Sequence, residues 1–406
     1  MSGDNNEYGA TFNPRDEKRT ARLEACLGAD TVQSLTRRRV AVVGTGALGG
    51  PVLHNLAMLG IGEFLLVDPG VVEPVNLGNQ GFDSAHVGLS KVQARMEQIK
   101  RVQPSAVVYI HPKRLETLGR GVLRGCDLVI SCLDNLAARI LLNEICIELQ
   151  IPWIDGATDG SGKFMLGRVA SFGAHPDAPC FICSFDREQL SKALASEHRG
   201  CPSWWDEPNP SRPTLSIPPE CGVMAGLQCI EAIKRLRGNV GNPISTELLV
   251  DLDSMKMHQI LPARNPNCLN HHETFGNLVS LSAGTSLGAT LTMLKGDDGD
   301  DATIMLHGKS FIAHIRCSAC GRQVPIGKID LLLQSERTCC PCGNALAPNP
   351  FSRNESIDVR CCAPFLERTW EEIGLPANDI ISGYTGKTET HFLVGRRSIA
   401  EENSHA

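Results

Sequence analysis

Aromatic side chains are scarce in this chain: 4 Trp, 3 Tyr and 12 Phe in 406 residues, or 5%. Such a composition excludes a platform on which successive nucleic-acid bases could stack. Positive charge is not in excess either. The formal net charge is −6, which offers no electrostatic attraction to nucleic acid or to an anionic membrane. No run approaches the roughly 18 apolar residues that a membrane-spanning helix needs. The opening stretch MSGDNNEYGATFNPRDEKR is polar and lacks the apolar core of a secretory signal, so a cytoplasmic location is expected. Hydrophobic content of 42% and charged content of 21% are ordinary globular values, and the length predicts two or three domains.

Cysteine, by contrast, is abundant, at 17 residues. In a reducing compartment these read as metal ligands, core packing or chemistry rather than disulfides.

The most informative stretch runs from Arg39 to Lys91. Val40 to Val43 form a short apolar run without polar alternation, as a buried parallel strand does. Gly44, Gly46 and Gly49 follow in G-x-G-x-x-G spacing and lead into a helical pattern of Val52, Leu53, Leu56 and Leu59, closed by Gly60. A second strand, Phe64 to Val67, ends in Asp68, 19 residues after the third glycine. Gly44 permits a tight turn, Gly46 lets backbone N–H groups approach phosphate, and the helix N-terminus favours the anion. Asp68 stands where it can take ribose hydroxyls. Strands and helices continue to alternate: helix 91–102, strand 107–110, strand 128–132, helix 136–149 and strand 153–155. Such alternation predicts a doubly wound, Rossmann-like parallel sheet with ligands at the carboxyl ends of its strands.

Beyond Asp68, VDPGVVEPVNLGNQGF, then GLSK, then SCLDN at 131–135 give the chain a family look. It resembles the ubiquitin-activating-enzyme-like adenylyltransferase superfamily that includes ThiF, MoeB and HesA, over about residues 15 to 272. The resemblance implies ATP and Mg²⁺ as ligands. By it, Lys91 contacts the phosphates, Asp134 binds Mg²⁺, and Asn76 and Gln80 line the nucleotide. Two positions depart from the pattern. The family's arginine before the glutamine is Asn79, and its second aspartate is Gly70. A non-catalytic scaffold subunit therefore stands as the alternative, with an NAD-dependent dehydrogenase as a weaker one. The resemblance further implies a small ubiquitin-like or sulfur-carrier protein as partner, and a homodimer in which Arg19 or Arg22 reaches the partner's ATP.

Cys180 and Cys183 form C-F-I-C, and Cys268 and His271 repeat the two-residue gap, with His272 adjacent. Family members carry C-x-x-C at both places and bind structural Zn²⁺, so a Cys₃His set is implied. Cys317-x₂-Cys320 and Cys339-x₂-Cys342, 18 residues apart, have zinc-ribbon spacing on their own account. Cys340, Cys361 and Cys362 leave some choice of ligand. Between the first pair and the helix after it lies a proline-rich segment with six prolines from Pro202 to Pro219. By the resemblance it is a crossover loop, at about 187–221, in which activating enzymes keep a nucleophilic cysteine; Cys201 is then the candidate for a thioester, ahead of Cys221 at the helix start.

The expected organisation is a mobile segment 1–14, an adenylation domain 15–274 and a C-terminal domain 275–395 holding a zinc ribbon at 317–342. A tail, 396–406, follows.

Overall fold

The computed structural model describes residues 14–159, 164–195, 216–237, 245–268, 270, 273–295, 301–317, 319–333, 340–344, 346–348, 353–386 and 388–395. It divides into two compact units, the first of residues up to 116 and 123–274, the second of 117–122 and the chain from 275 onward.

Unit 1 begins with α1 (Pro14–Leu27) and α2 (Ala29–Leu35), separated at Gly28. Then come β1 (Arg39–Val43), α3 (Gly49–Met58), β2 (Glu63–Val67), α4 (Lys91–Val102), β3 (Val107–His111), β4 (Leu128–Ser131) and α5 (Leu136–Glu148). β5 (Trp153–Thr158), β6 (Leu166–Phe172), α6 (Arg187–Ala195), α7 (Pro218–Arg237), β7 (Thr246–Asp251) and β8 (Lys256–Ile260) complete it. The strands form one sheet in the order β3-β2-β1-β4-β5-β6-β7-β8. β1 is central, pairing parallel with β2 (Val40 beside Phe64) and with β4 (Val40 beside Leu128). Val40 to Val43 are at most 1% exposed, which is why the strand is apolar at these four positions after Arg39. α3 packs against both α4 and α7, and Val42, Leu53, Phe64, Ile130 and Met224 share one core.

The sheet is parallel from β1 to β5 only; β6, β7 and β8 run antiparallel. This corrects the expectation of an all-parallel sheet. Only seven residues, 159–165, separate β5 from β6. A parallel crossover needs about a dozen residues or more, so the chain can only turn back. The expected crossover segment is also not loop throughout. It opens with α6, and α7 begins at Pro218 rather than after Cys221. Prolines are tolerated in a helix's first turn, where their missing N–H would be unpaired in any case.

Unit 2 contains β9 (Leu278–Ser282), α8 (Leu287–Leu294), β10 (Thr303–Met305), β11 (Phe311–Cys317), β12 (Gln323–Ile329), α9 (Asp330–Leu333), β13 (Leu346–Pro348), β14 (Arg353–Asn354), β15 (Ser356–Asp358), α10 (Val359–Cys362), β16 (Asp379–Thr385) and β17 (Thr388–Gly395). Its main sheet has the order β15-β10-β16-β17-β9, and a smaller sheet centres on β11. Trp370 is fully buried in the core, its indole N–H donating to Thr290 Oγ1 at 2.9 Å. Residues 117–122, which the sequence places inside the first domain, pack in this unit. A Cβ on Gly119 would stand 2.4 Å from the Ala377 carbonyl oxygen, so only glycine admits that approach. The Arg120 N–H donates to buried Asp379, which also pairs with Lys309 at 2.8 Å.

Candidate active site

The glycine turn connects β1 to α3. Gly44 adopts φ +89°, and a Cβ there would lie 2.5 Å from the Cys132 carbonyl oxygen. A Cβ on Gly49 would lie 2.1 Å from the Gly44 carbonyl oxygen. Both glycines are therefore demanded by backbone packing inside the protein. Gly46 is different: a Cβ there would meet nothing nearer than the Gln80 side chain at 3.5 Å. The fold leaves room above Gly46, which is what close approach of a phosphate requires.

Asp68, at the end of β2, is 8% exposed and joins two loops. Its Oδ2 accepts from the Thr45 N–H at 2.7 Å and its Oδ1 from the Gly70 N–H at 2.7 Å. Lys91 is the first residue of α4, capped by Ser90, and its own N–H donates to the Gly70 carbonyl at 2.9 Å. Its side-chain stem passes over Gly70. A Cβ there would be 3.0 Å from Lys91 Cε and 2.9 Å from Asp68 Oδ1, so glycine leaves space for that approach. Asn76 is buried, and its Oδ1 accepts from the Glu73 N–H, fixing a turn of 3₁₀ helix. Among the described residues, none donates a hydrogen bond to the buried oxygens Asn79 Oδ1 and Gln80 Oε1. Both residues line a cavity of about 490 Å³ together with Ala47, Pro51, His54 and Arg95.

Asp134 is exposed, on the loop between β4 and α5. That loop is held at Cys132, whose N–H donates to Val43 at 2.8 Å, and at Asn135, whose side chain caps α5 by accepting from the Ala138 N–H at 2.7 Å. The Gly44–Cys132 contact sets it against the glycine turn. Gly44, Gly46, Gly49, Asp68, Gln80 and Lys91 are thus neighbours around the end of β1, and Asp134 joins them through its loop backbone.

Sequence reasoning missed Arg95, four residues after Lys91 and so on the same face of α4. It is 3% exposed, with its guanidinium 3.9 Å from the centre of the Phe82 ring. It donates to the Thr45 and Gly46 carbonyls at 3.0 Å each, to the Gln80 carbonyl, and to Gln98. Burial pushes its guanidinium down to about 10, opposed by the charge of Asp68. A charged fork thus ties the glycine turn to the Asn76–Gln80 segment.

Arg19 is engaged within its own chain, donating to the carbonyl of Val102 at 3.0 Å and to the Gln103 side chain. Arg22 is exposed. Cys201 lies outside the described residues. Burial pushes the thiols of buried Cys221 and half-buried Cys132 upward, away from the reactive thiolate.

Among the described residues, two cysteine clusters could each hold a metal ion. The sulfurs of Cys180, Cys183 and Cys268 lie within 4.8 Å of one another, as do those of Cys317, Cys320, Cys340 and Cys342. Thiolates at such separations suit a tetrahedral zinc site. His271 and His272 lie outside the described residues. So does Cys339; among the described residues the second cluster includes its neighbour Cys340.

Residues 18–270 match the model of the ThiF family. Over 239 residues the chain is 30% identical to the molybdopterin-synthase adenylyltransferase of Salmonella typhimurium, covering 58% of this chain and 88% of that one. It is 28% identical over 236 residues to ubiquitin-like modifier-activating enzyme 5 of Bombyx mori, covering 54% and 56%. Among solved structures, Escherichia coli MccB with ATP superposes with a TM-score of 0.50 at 19% identity, covering 66% of this chain and 76% of that one, a likeness of fold. Among the described residues, no helix is long and apolar enough to cross a membrane.

Proposed function

The chain belongs to the ThiF family, and on that premise we propose that it is an ATP-dependent adenylyltransferase acting on the C-terminal carboxylate of a small ubiquitin-like or sulfur-carrier protein. A carboxylate oxygen attacks the α-phosphorus of ATP. The bond to the β-phosphate oxygen breaks, pyrophosphate leaves, and the carrier ends as an acyl-adenylate. The observation that supports this most directly is the glycine turn with open space over Gly46 beside Gln80 Oε1, to which no described residue donates, with Lys91 placed over Gly70 next to Asp68. Two anions must meet in this reaction, so positive charge has to be supplied as they approach. Lys91 provides it from the start of α4, and the N-terminus of α3 favours the phosphate anion. Asp134 is the residue that would hold Mg²⁺, a hard cation that usually binds one or two carboxylates plus substrate phosphates. When bound, that ion neutralises the charge developing on the leaving pyrophosphate.

The two cysteine clusters are assigned to structural Zn²⁺, the first completed by His271. A thioester on Cys201 is the step that would follow adenylation. The protein is taken to work in the cytoplasm as a homodimer, with exposed Arg22 the better placed to reach a partner's ATP, since Arg19 is used within its own chain.

A second reading, a non-catalytic scaffold subunit, draws on Asn79 and Gly70, which stand where the family carries an arginine and an aspartate. Carrier-dependent exchange of labelled pyrophosphate into ATP separates the two. Exchange is expected in the wild type and in Cys201→Ala, and is expected to vanish in Asp134→Ala. Wild-type protein inactive with every carrier that forms a complex with it would leave the scaffold reading.

A further inference from the structure

The loop carrying Asp134 is braced from below by a buried ionic network. Asp155, on β5, is fully buried. Its Oδ1 accepts from Ser131 Oγ at 2.8 Å and faces Arg139 Nε at 3.2 Å; its Oδ2 accepts from Arg168 Nη1 at 2.9 Å. Arg139, on α5 and 6% exposed, donates from Nη2 to the carbonyls of Leu133 and Gly156. Arg168 continues the chain of charges to Glu247 on β7. Two guanidinium groups and two carboxylates thus balance, so no charge is buried alone.

Leu133 is the residue before Asp134. A guanidinium on its carbonyl fixes the peptide plane from which Asp134 projects, and Asp155 holds that guanidinium by charge at 3.2 Å, without an aligned hydrogen bond to Nε. Coordination of a hard cation by a single carboxylate is sensitive to such placement, because a small displacement breaks the geometry that Mg²⁺ demands. We infer that Asp155, acting through Arg139, is a positioning residue that aims Asp134 at the metal of the bound nucleotide. This rests on the adenylyltransferase reading above. Ser131 and Arg168 hold Asp155 itself, and the Ser131 carbonyl in turn accepts from the buried Gln228 amide at 2.9 Å.

The test is calorimetric binding of ATP to the full chain, with Mg²⁺ and with EDTA, which needs no carrier. In the wild type Mg²⁺ should tighten ATP binding, and Asp134→Ala should remove that gain. Asp155→Asn should lose it by about tenfold or more while affinity in EDTA stays within about twofold, since the glycine turn is untouched. A general structural defect would lower both affinities together. The double variant Arg139→Gln/Asp155→Asn removes one charge of each sign and so avoids an unpaired buried ion; it should show the same selective loss. Ser131→Ala, which deletes only a hydroxyl, carries the test should the double variant not fold, with a loss of about two- to threefold. A folded variant that keeps the wild-type Mg²⁺ gain overturns the inference, as does wild-type ATP binding that is indifferent to Mg²⁺. Wild-type protein that binds no ATP overturns instead the reading on which it rests.

Discussion

Replacing Arg95 by methionine keeps the apolar stem over Phe82 and removes the charged fork. The Gly46 carbonyl retains a bond from the Gly50 N–H at 3.0 Å, whereas the Thr45 and Gln80 carbonyls lose their charged donor. Leaving a buried acceptor unpaired costs about 1–3 kcal/mol each. Against this stands the cost of burying the guanidinium, which drops from 12.5 to about 10. That is a penalty of about 3 kcal/mol on the charged form, which the variant no longer carries. The two effects nearly cancel, so Arg95 contributes little net stability and its value lies in geometry. Arg95→Met should therefore change unfolding free energy by no more than about 2 kcal/mol. ATP affinity should fall at least about tenfold, because the glycine turn and the Gln80 carbonyl are no longer held together and about 1.4 kcal/mol of misalignment suffices. Arg95→Lys should recover only part of the affinity, since a point charge cannot bridge three carbonyls. Urea unfolding and ATP calorimetry read the two quantities separately. A variant destabilised by more than about 4 kcal/mol that binds ATP as the wild type does would refute the reasoning.

Glu220 gives a pH signature: it is 4% exposed in the first turn of α7, and burial, with Asp159 and Asp253 nearby, raises its carboxyl to about 7. The folded state therefore holds a proton that the unfolded chain releases near 4.5, and this contribution is complete below 4.5 and lost as pH rises through 7. Glu220→Gln should be more stable than wild type at pH 8 by about 3 kcal/mol and equal to it at pH 4, as measured by denaturant midpoints. For the metal clusters, freshly purified protein should contain two zinc ions per chain. Cys340→Ser should lose one of them while Cys339→Ser keeps both, and equal metal contents in the two variants would count against the geometry of the second cluster. Zinc binding can contribute on the order of 10 kcal/mol to a small unit, so Cys340→Ser should also lower the unfolding temperature of unit 2, read from the fluorescence of buried Trp370.

Local sequence pattern determined the elements around the end of β1. The apolar run Val40–Val43, the glycine spacing, Asp68, and the caps Ser90 and Asn135 act through nearest neighbours along the chain, so their consequences are legible in one dimension. The first cysteine pair and the start of the second cluster were legible for the same reason. What the tertiary structure decided depends on residues distant in sequence meeting in space. The carbonyl of Cys132 makes Gly44 obligatory, and the open space over Gly46 shows only once Gln80 is placed beside it. Arg95 reads as an ordinary surface residue of an amphipathic helix until the carbonyls of Thr45, Gly46 and Gln80 close on it. Asp155 looks like a strand-end polar residue until Arg139 and Arg168 arrive from two other elements. The passage of residues 117–122 into unit 2 belongs to the same class. Periodicity reports which side of an element is buried; it carries no information on which buried charge will find which partner, because that is fixed by the packing of whole elements on one another.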